Sequence, residues 1–370
     1  MKKQLFAVGM IISSCLVSLE AKAASFTALN VFGDSLADSG NLFNLTSTLF
    51  PPGVPALPPS PPYAQKNSNG PIWVDNLGVA LELSPTLATD LLLNPTVTPL
   101  PTQGINFAFA GALSSDIHIL DNDVPSLAAV LPGFQDQIAT FSSLSTVIPP
   151  DPNALHVIWV GGNDYNEAFF DPDSLKVSTI EQLPNFVTDN IISGLTQLSS
   201  LGAKEFLVVN LPDIGEAPFA DFLDTQLPDD IPTILNQLIT AHNDLLSLKL
   251  DVFSQSQPEV NITTLDVNTL FDDILTNPDS FGLTNVSESC LINYQPGFQF
   301  EGICDSPDEY LFWDDVHPTA ATSGFISDLA LATLNETSTS VPEPGSLRVL
   351  LAMSVVGSGT LILKKRESHR

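Results

Sequence analysis

Basic residues are scarce in this chain. Against 42 aspartates and glutamates stand 12 lysines and arginines, and the formal net charge is −30. Between residues 24 and 340 the cations are Lys66, Lys176, Lys204 and Lys249, and arginine does not occur there. Such a surface offers almost no cations with which to displace the counterions of a nucleic acid, so nucleic-acid partners are excluded, as is docking on anionic lipid headgroups. The absence of arginine from this stretch disfavours a substrate held by a bidentate clamp on a phosphate or carboxylate. The acidic excess reads as solubility or adaptation to salt.

Cysteine and histidine are also few, at 3 and 5. Cys15 lies in the N-terminal segment. Cys290 and Cys304 remain as an even pair, and in an exported chain a disulfide between them is expected, with free buried thiols as the alternative. His118, His156, His242 and His369 have no acid three residues before them and read as surface or helix residues; His317 follows Asp314 by three. No Gly-x-Ser-x-Gly nucleophile elbow is present.

The termini stand apart from the folded body. Residues 1–23 start with two lysines, run apolar from Leu5 to Leu19 and end in Ala21-Lys22-Ala23, a small-x-small cleavage site. This reads as a secretory signal cut by signal peptidase ahead of Ala24. "ISSC" (12–15) offers a second reading, a bacterial lipobox with Cys15 as a lipidated N-terminus. Residues 341–370 begin with Pro342-Glu343-Pro344, continue with an apolar segment from Leu347 to Leu363 and end in Lys364-Lys365-Arg366. The apolar segment is at the short limit for a membrane helix, and the basic cluster marks its cytoplasmic side. The three parts in this order resemble the PEP-CTERM sorting signal of bacteria. That resemblance implies an exosortase-type sorting protease as partner and export to the cell surface or extracellular matrix; a plain C-terminal anchor is the alternative.

The body, residues 24–340, is expected to be one domain. "PPGVPALPPSPP" (51–62) has no room for helix or ladder strand and reads as a surface loop, and residues 82–104 are similarly Pro- and Thr-rich. Apolar, strand-like runs occur at 26–32, 155–162, 204–213 and 261–267. Helical patterns occupy 181–202, 232–253 and 318–334. This alternation predicts a parallel sheet covered by helices on both faces.

Four stretches carry candidate chemistry. "NVFGDSLADSGN" (30–41) puts Ser35 after the first strand, where Ser-x-x-Asp38 also fits a helix N-cap. "INFAFAGALSS" (105–115) sets Gly111 in a loop of small residues. "WVGGNDY" (159–165) places Gly162, Asn163 and Asp164 after a buried strand. "LFWDDVHPTAA" (311–321) holds Asp314 and His317 on one tight turn. A carboxylate at that offset can fix the imidazole tautomer and leave the other ring nitrogen to take a proton from a serine.

Taken in order, Phe32-Gly33-Asp34-Ser35-Leu36, the Gly111 loop, Gly161-Gly162-Asn163-Asp164 and Asp314-x-x-His317-Pro318 resemble the four blocks of the SGNH (GDSL) hydrolases, lipolytic branch. "SNGPIW" (68–73) and "NLPDIG" (210–215) are similar to stretches common in that branch. The resemblance implies a three-layer α/β/α sandwich with a five-stranded parallel, flavodoxin-like sheet. It also implies hydrolysis of carboxylic acyl esters, of lipid or O-acylated glycan, without metal or cofactor. Ser35 would be the nucleophile, His317 the general base and Asp314 its orienting acid. The N–H groups of Ser35 and Gly111 and the Asn163 amide would form the oxyanion hole. Ala110-Gly111 departs from the paired glycines of the second block, and Asp315 competes with Asp314 on position alone. Two other functions share parts of the pattern. One is a non-catalytic surface or matrix protein on the same fold. The other is a metal-dependent phosphoesterase, which needs several further histidine ligands and a Gly-His-x-His stretch that this chain lacks.

Overall fold

The computed structural model describes residues 25–339, apart from 95, 97, 98, 123, 126, 171, 173, 174 and 296. The proposed signal, Cys15 and the segment 341–370 with its apolar stretch lie outside the described residues. Among the described residues no helix is long and apolar enough to cross a membrane.

Six strands build the central sheet: β1 (Leu29–Gly33), β2 (Thr86–Leu87), β3 (Ile105–Asn106), β4 (Leu155–Trp159), β5 (Glu205–Val209) and β6 (Asn261–Leu265). They run parallel in the order β2-β3-β1-β4-β5-β6. Five strands were expected. The sixth, β2, is two residues inside the Pro- and Thr-rich stretch, pairing Thr86 with Ile105 and Leu87 with Asn106. Two residues cannot display a strand's period, so the pattern there reads as loop. β1 and β4 are buried along their whole length. The edge strand β6 buries only Leu265 and exposes Asn261 and Thr264.

Ten α-helices occur among the described residues: α1 (Asn41–Leu49), α2 (Trp73–Ala80), α3 (Ala88–Leu93), α4 (Phe134–Leu144), α5 (Gly162–Phe170), α6 (Leu183–Ser200), α7 (Pro218–Gln226), α8 (Ile231–Ser256), α9 (Val267–Thr276) and α10 (Ala320–Thr339). α8 shows how local chemistry sets one of them. Asp230 accepts from Thr233 N at 3.2 Å as N-cap, and Pro232 suits the first turn. Leu235, Leu238, Ile239, His242, Leu246, Leu250 and Phe253 then repeat at three- and four-residue intervals and are buried. α4 packs on α6 and α6 on α8. Sheet and helices form an α/β sandwich, and residues 25–334 are one compact unit.

Two small sheets lie beside it: β7 (Asn285–Ser289) with β10 (Tyr310–Phe312), and the hairpin of β8 (Leu291–Ile292) and β9 (Gly302–Ile303). Cys290 and Cys304 form a disulfide across that hairpin, as expected. From β1 the chain passes to β2 and β3 on one side and to β4, β5 and β6 on the other. In open parallel sheets the carboxyl ends at such a reversal form a crevice that binds ligands.

Candidate active site

The four motifs meet at that crevice. β1 ends at Gly33, where a Cβ would lie 2.1 Å from the Trp159 carbonyl oxygen, so only glycine lets β1 and β4 come this close. Asp34 then folds the chain into a turn. Its Oδ1 accepts from Leu36 N at 3.0 Å, and its carbonyl accepts from Ala37 N and Asp38 N, each at 3.0 Å. Ser35 sits in this turn and not at a helix N-cap. The helix starts at Asn41, and Asp38 caps it by accepting from the N–H groups of Gly40, Asn41 and Leu42. Asp38 Oδ2 also accepts from Ala110 N at 2.9 Å, fixing the loop after β3 beside the turn. The acid of the Ser-x-x-Asp pattern is thus the cap.

His317 Nε2 lies 2.8 Å from Ser35 Oγ, and His317 Nδ1 lies 2.8 Å from Asp314 Oδ2 and 2.9 Å from Oδ1. The carboxylate requires a proton on Nδ1, leaving Nε2 to accept from the serine hydroxyl. Asp314 Oδ1 also accepts from Val316 N at 3.0 Å and His317 N at 2.8 Å, so the tight turn holds its own acid. Burial favours the neutral acid, but the His317 charge and these hydrogen bonds outweigh it and hold Asp314 below the usual carboxylate range. Burial works against a charged His317, yet Asp314, with Asp315 and Asp34, raises it above the ordinary imidazole value. Asp315 forms no hydrogen bond to His317 among the described residues. Burial and the charge of Asp314 push it up to about 7, so Asp314 is the orienting acid.

Ser35, Gly111 and Asn163 line one cavity together with His317. Among the described residues the N–H groups of Ser35 and Gly111 are given no acceptor by the fold. Asn163, in the first turn of α5, donates one amide hydrogen to the Ala112 carbonyl at 3.0 Å, which orients the second. Asp164 ties that helix start to the Gly111 loop, accepting from Ser114 Oγ at 2.7 Å and Ser114 N at 2.9 Å. Burial pushes Asp164 up to about 6 and Asp34 up to about 7.

The remaining motifs brace this arrangement. In "SNGPIW", Ser68 Oγ donates to the Pro318 carbonyl at 2.9 Å, Asn69 Oδ1 accepts from Ala320 N at 2.7 Å, and Trp73 Nε1 donates to the Leu36 carbonyl at 3.0 Å. One stretch therefore grips both the Ser35 turn and the turn after His317. In "NLPDIG", Asn210 Oδ1 accepts from Val267 N and Asn268 N at the start of α9. Leu211 and Ile214 line a narrow slot of about 60 Å³ beside Ser35 and His317, with Trp159, Phe271 and Leu275. A wider cavity of about 520 Å³ also reaches Ser35 and His317, lined by Leu57, Gly111, Ile119, Phe219, Tyr294 and Phe298.

Three histidines read as surface or helix residues are buried. His156 lies in β4, His242 inside α8, and His118 beside Gly111. Each has an acceptor or donor in the core, which no offset to an acid reveals. Tyr63 was missed as well. It is buried at the end of the Pro-rich insert, and its hydroxyl donates to Asp314 Oδ2 at 2.8 Å across 251 residues of chain. Among the described residues no three His, Cys, Asp or Glu side chains group as a metal site.

The family model of GDSL-like lipases/acylhydrolases matches residues 29–330. The chain belongs to this family. The GDSL family places it among carboxylic ester hydrolases. Two GDSL esterase/lipases of Arabidopsis thaliana are similar to it. One is 27% identical over 340 residues, covering 86% of this chain and 84% of the relative. The other is 26% identical over 348 residues, covering 88% and 94%. A crystal structure of a member of the lipolytic G-D-S-L family from Veillonella parvula superposes with a TM-score of 0.37 at 12% identity, covering 82% of this chain and 96% of that one.

Proposed function

We propose that this family member is an exported esterase that hydrolyses acyl esters through an acyl-serine formed on Ser35. The observation that carries this reading is the continuous chain from Ser35 Oγ through His317 to Asp314, each link at 2.8 Å. His317 Nε2 takes the hydroxyl proton as Oγ adds to the ester carbonyl. Negative charge then develops on the carbonyl oxygen among the Ser35 N–H, the Gly111 N–H and the Asn163 amide. Asp314 stabilises the imidazolium without taking its proton. As the carbon–oxygen bond to the alcohol breaks, His317 returns the proton to the leaving alkoxide. Water, deprotonated by the same nitrogen, then releases the acid and regenerates Ser35.

Neutral esters fit best, lipid or O-acylated glycan, because among the described residues no lysine or arginine lines either cavity. The motifs at residues 1–23 and 341–370 support export, with signal peptidase and an exosortase-type sorting protease as processing partners. The Cys290–Cys304 disulfide suits an oxidising compartment. The test is Ser35→Ala assayed on a chromogenic acyl ester, with fluorophosphonate labelling of both proteins. Hydrolysis and labelling should vanish while the melting temperature holds. Hydrolysis retained by the variant refutes the acyl-serine.

A further inference from the structure

We infer that Tyr63 is a positioning residue of the reaction, setting the orientation and basicity of Asp314 and, through it, the pH at which His317 acts as base. The inference rests on the roles proposed for Ser35 and His317. Its geometric basis is the hydrogen bond from Tyr63 Oη to Asp314 Oδ2 at 2.8 Å, on the same oxygen that faces His317 Nδ1 at 2.8 Å. Asp314 therefore accepts on both oxygens. Two backbone N–H groups of its own turn hold Oδ1, whereas Tyr63 is the donor to Oδ2 from a distant part of the chain.

The phenol is built into place. It is 2% exposed and packs edge-on to Trp313, with centroids 6.2 Å apart, and to Phe298 of the disulfide-closed hairpin, 5.4 Å apart. Burial and the neighbouring Asp314 charge raise its pKa, so it remains a protonated donor throughout the working range. A donor on a carboxylate spreads its charge and lowers its basicity, so the carboxylate holds an imidazolium less strongly. Tyr63 thus counteracts the rise that Asp314 imposes on His317. The titratable groups facing this pair are Asp34 and Asp315 toward His317, and Asp315, Tyr63 and Tyr294 toward Asp314. None of them is cationic.

The experiment compares wild type with Tyr63→Phe and with a protein carrying 3,5-difluorotyrosine at position 63. The readouts are kcat, KM and the acidic limb of kcat/KM against pH on one acyl ester. Tyr63→Phe keeps the ring but loses the donor. Its limb should move to higher pH by several tenths of a unit, with kcat down about tenfold and KM little changed. The fluorinated phenol donates more strongly and should move the limb the other way. A residue that only fills space gives no such reversal of sign. A limb that stays put in both proteins, or moves the same way in both, overturns the inference. Wild type inactive on every ester refutes the acyl-serine reading instead, so the two failures are distinguishable.

Discussion

His118 Nε2 donates to the Ala110 carbonyl at 2.7 Å, while His118 Nδ1 accepts from Leu120 N at 3.1 Å. The two bonds fix one neutral tautomer, and burial keeps it neutral by pushing His118 down to about 4. The ring braces the loop that presents Gly111. A Cβ on Gly111 would lie 2.8 Å from His118 Cε1 and 2.8 Å from Ile119 Cγ1, and the backbone there has φ +91°. Gly111→Ala must therefore move either the ring or the N–H. Losing one oxyanion donor typically lowers kcat by about 10²–10³. Steady-state kinetics should show a loss of that order, with a melting temperature some degrees lower. A wild-type kcat with a lowered melting temperature would mean that the ring yields and the N–H stays in place.

Asn163→Ala separates catalysis from stability. The side chain is partly exposed, and among the described residues its hydrogen bond is the one to Ala112 O. Removing it should cost about 2.7–4 kcal/mol of transition-state stabilisation. The folded state should lose far less, about 0.5–1.5 kcal/mol for one hydrogen bond. Kinetics and thermal melts on the same sample test the split. Equal losses in both would mean that the amide only holds the loop.

Much of this site was legible in the sequence because the chemistry sits at strand ends, where motif letters and apolar runs adjoin. Ser35, Gly111, Asn163, Asp314 and His317 all fall there, and all five meet in the structure. The misses have physical causes. Ser-x-x-Asp38 fits a cap in letters, but Asp34 accepts from the N–H of Leu36 and so shapes a turn, leaving Asp38 to cap Asn41. β2 is too short for periodicity. His118 and Tyr63 act through contacts made by folding, one to a carbonyl eight residues back and the other to an acid 251 residues on. No local pattern encodes either contact.

The pH dependence follows from the direction of the His317 shift. The base must be neutral to accept the Ser35 proton, so activity appears as pH rises through its pKa. Burial opposes the charged ring, but the net effect of Asp314, Asp315 and Asp34 raises that pKa above 6.5. The acidic limb should therefore have its midpoint above 6.5. Asp314→Asn removes the main charge that raises it, and should lower both kcat and that midpoint. A wild-type profile already flat from pH 5 to 8 would exclude His317 as base.

The disulfide offers a stability prediction independent of chemistry at Ser35. Cys290 and Cys304 are 14 residues apart, and a loop of about that length loses about 3 kcal/mol of unfolded-state freedom on closure. Cys290 is fully buried with Leu291, Tyr63 and Trp313, so the crosslink also anchors the small core beneath Asp314. Replacing both cysteines by serine should lower unfolding stability by about 2–4 kcal/mol in urea, with the slope raised because the unfolded chain exposes more surface. Buried serine hydroxyls add to the loss. Dithiothreitol should reproduce most of it in the wild type and change nothing in the double variant. A wild type whose urea midpoint ignores the reductant would show that the closed loop does not contribute to folding stability.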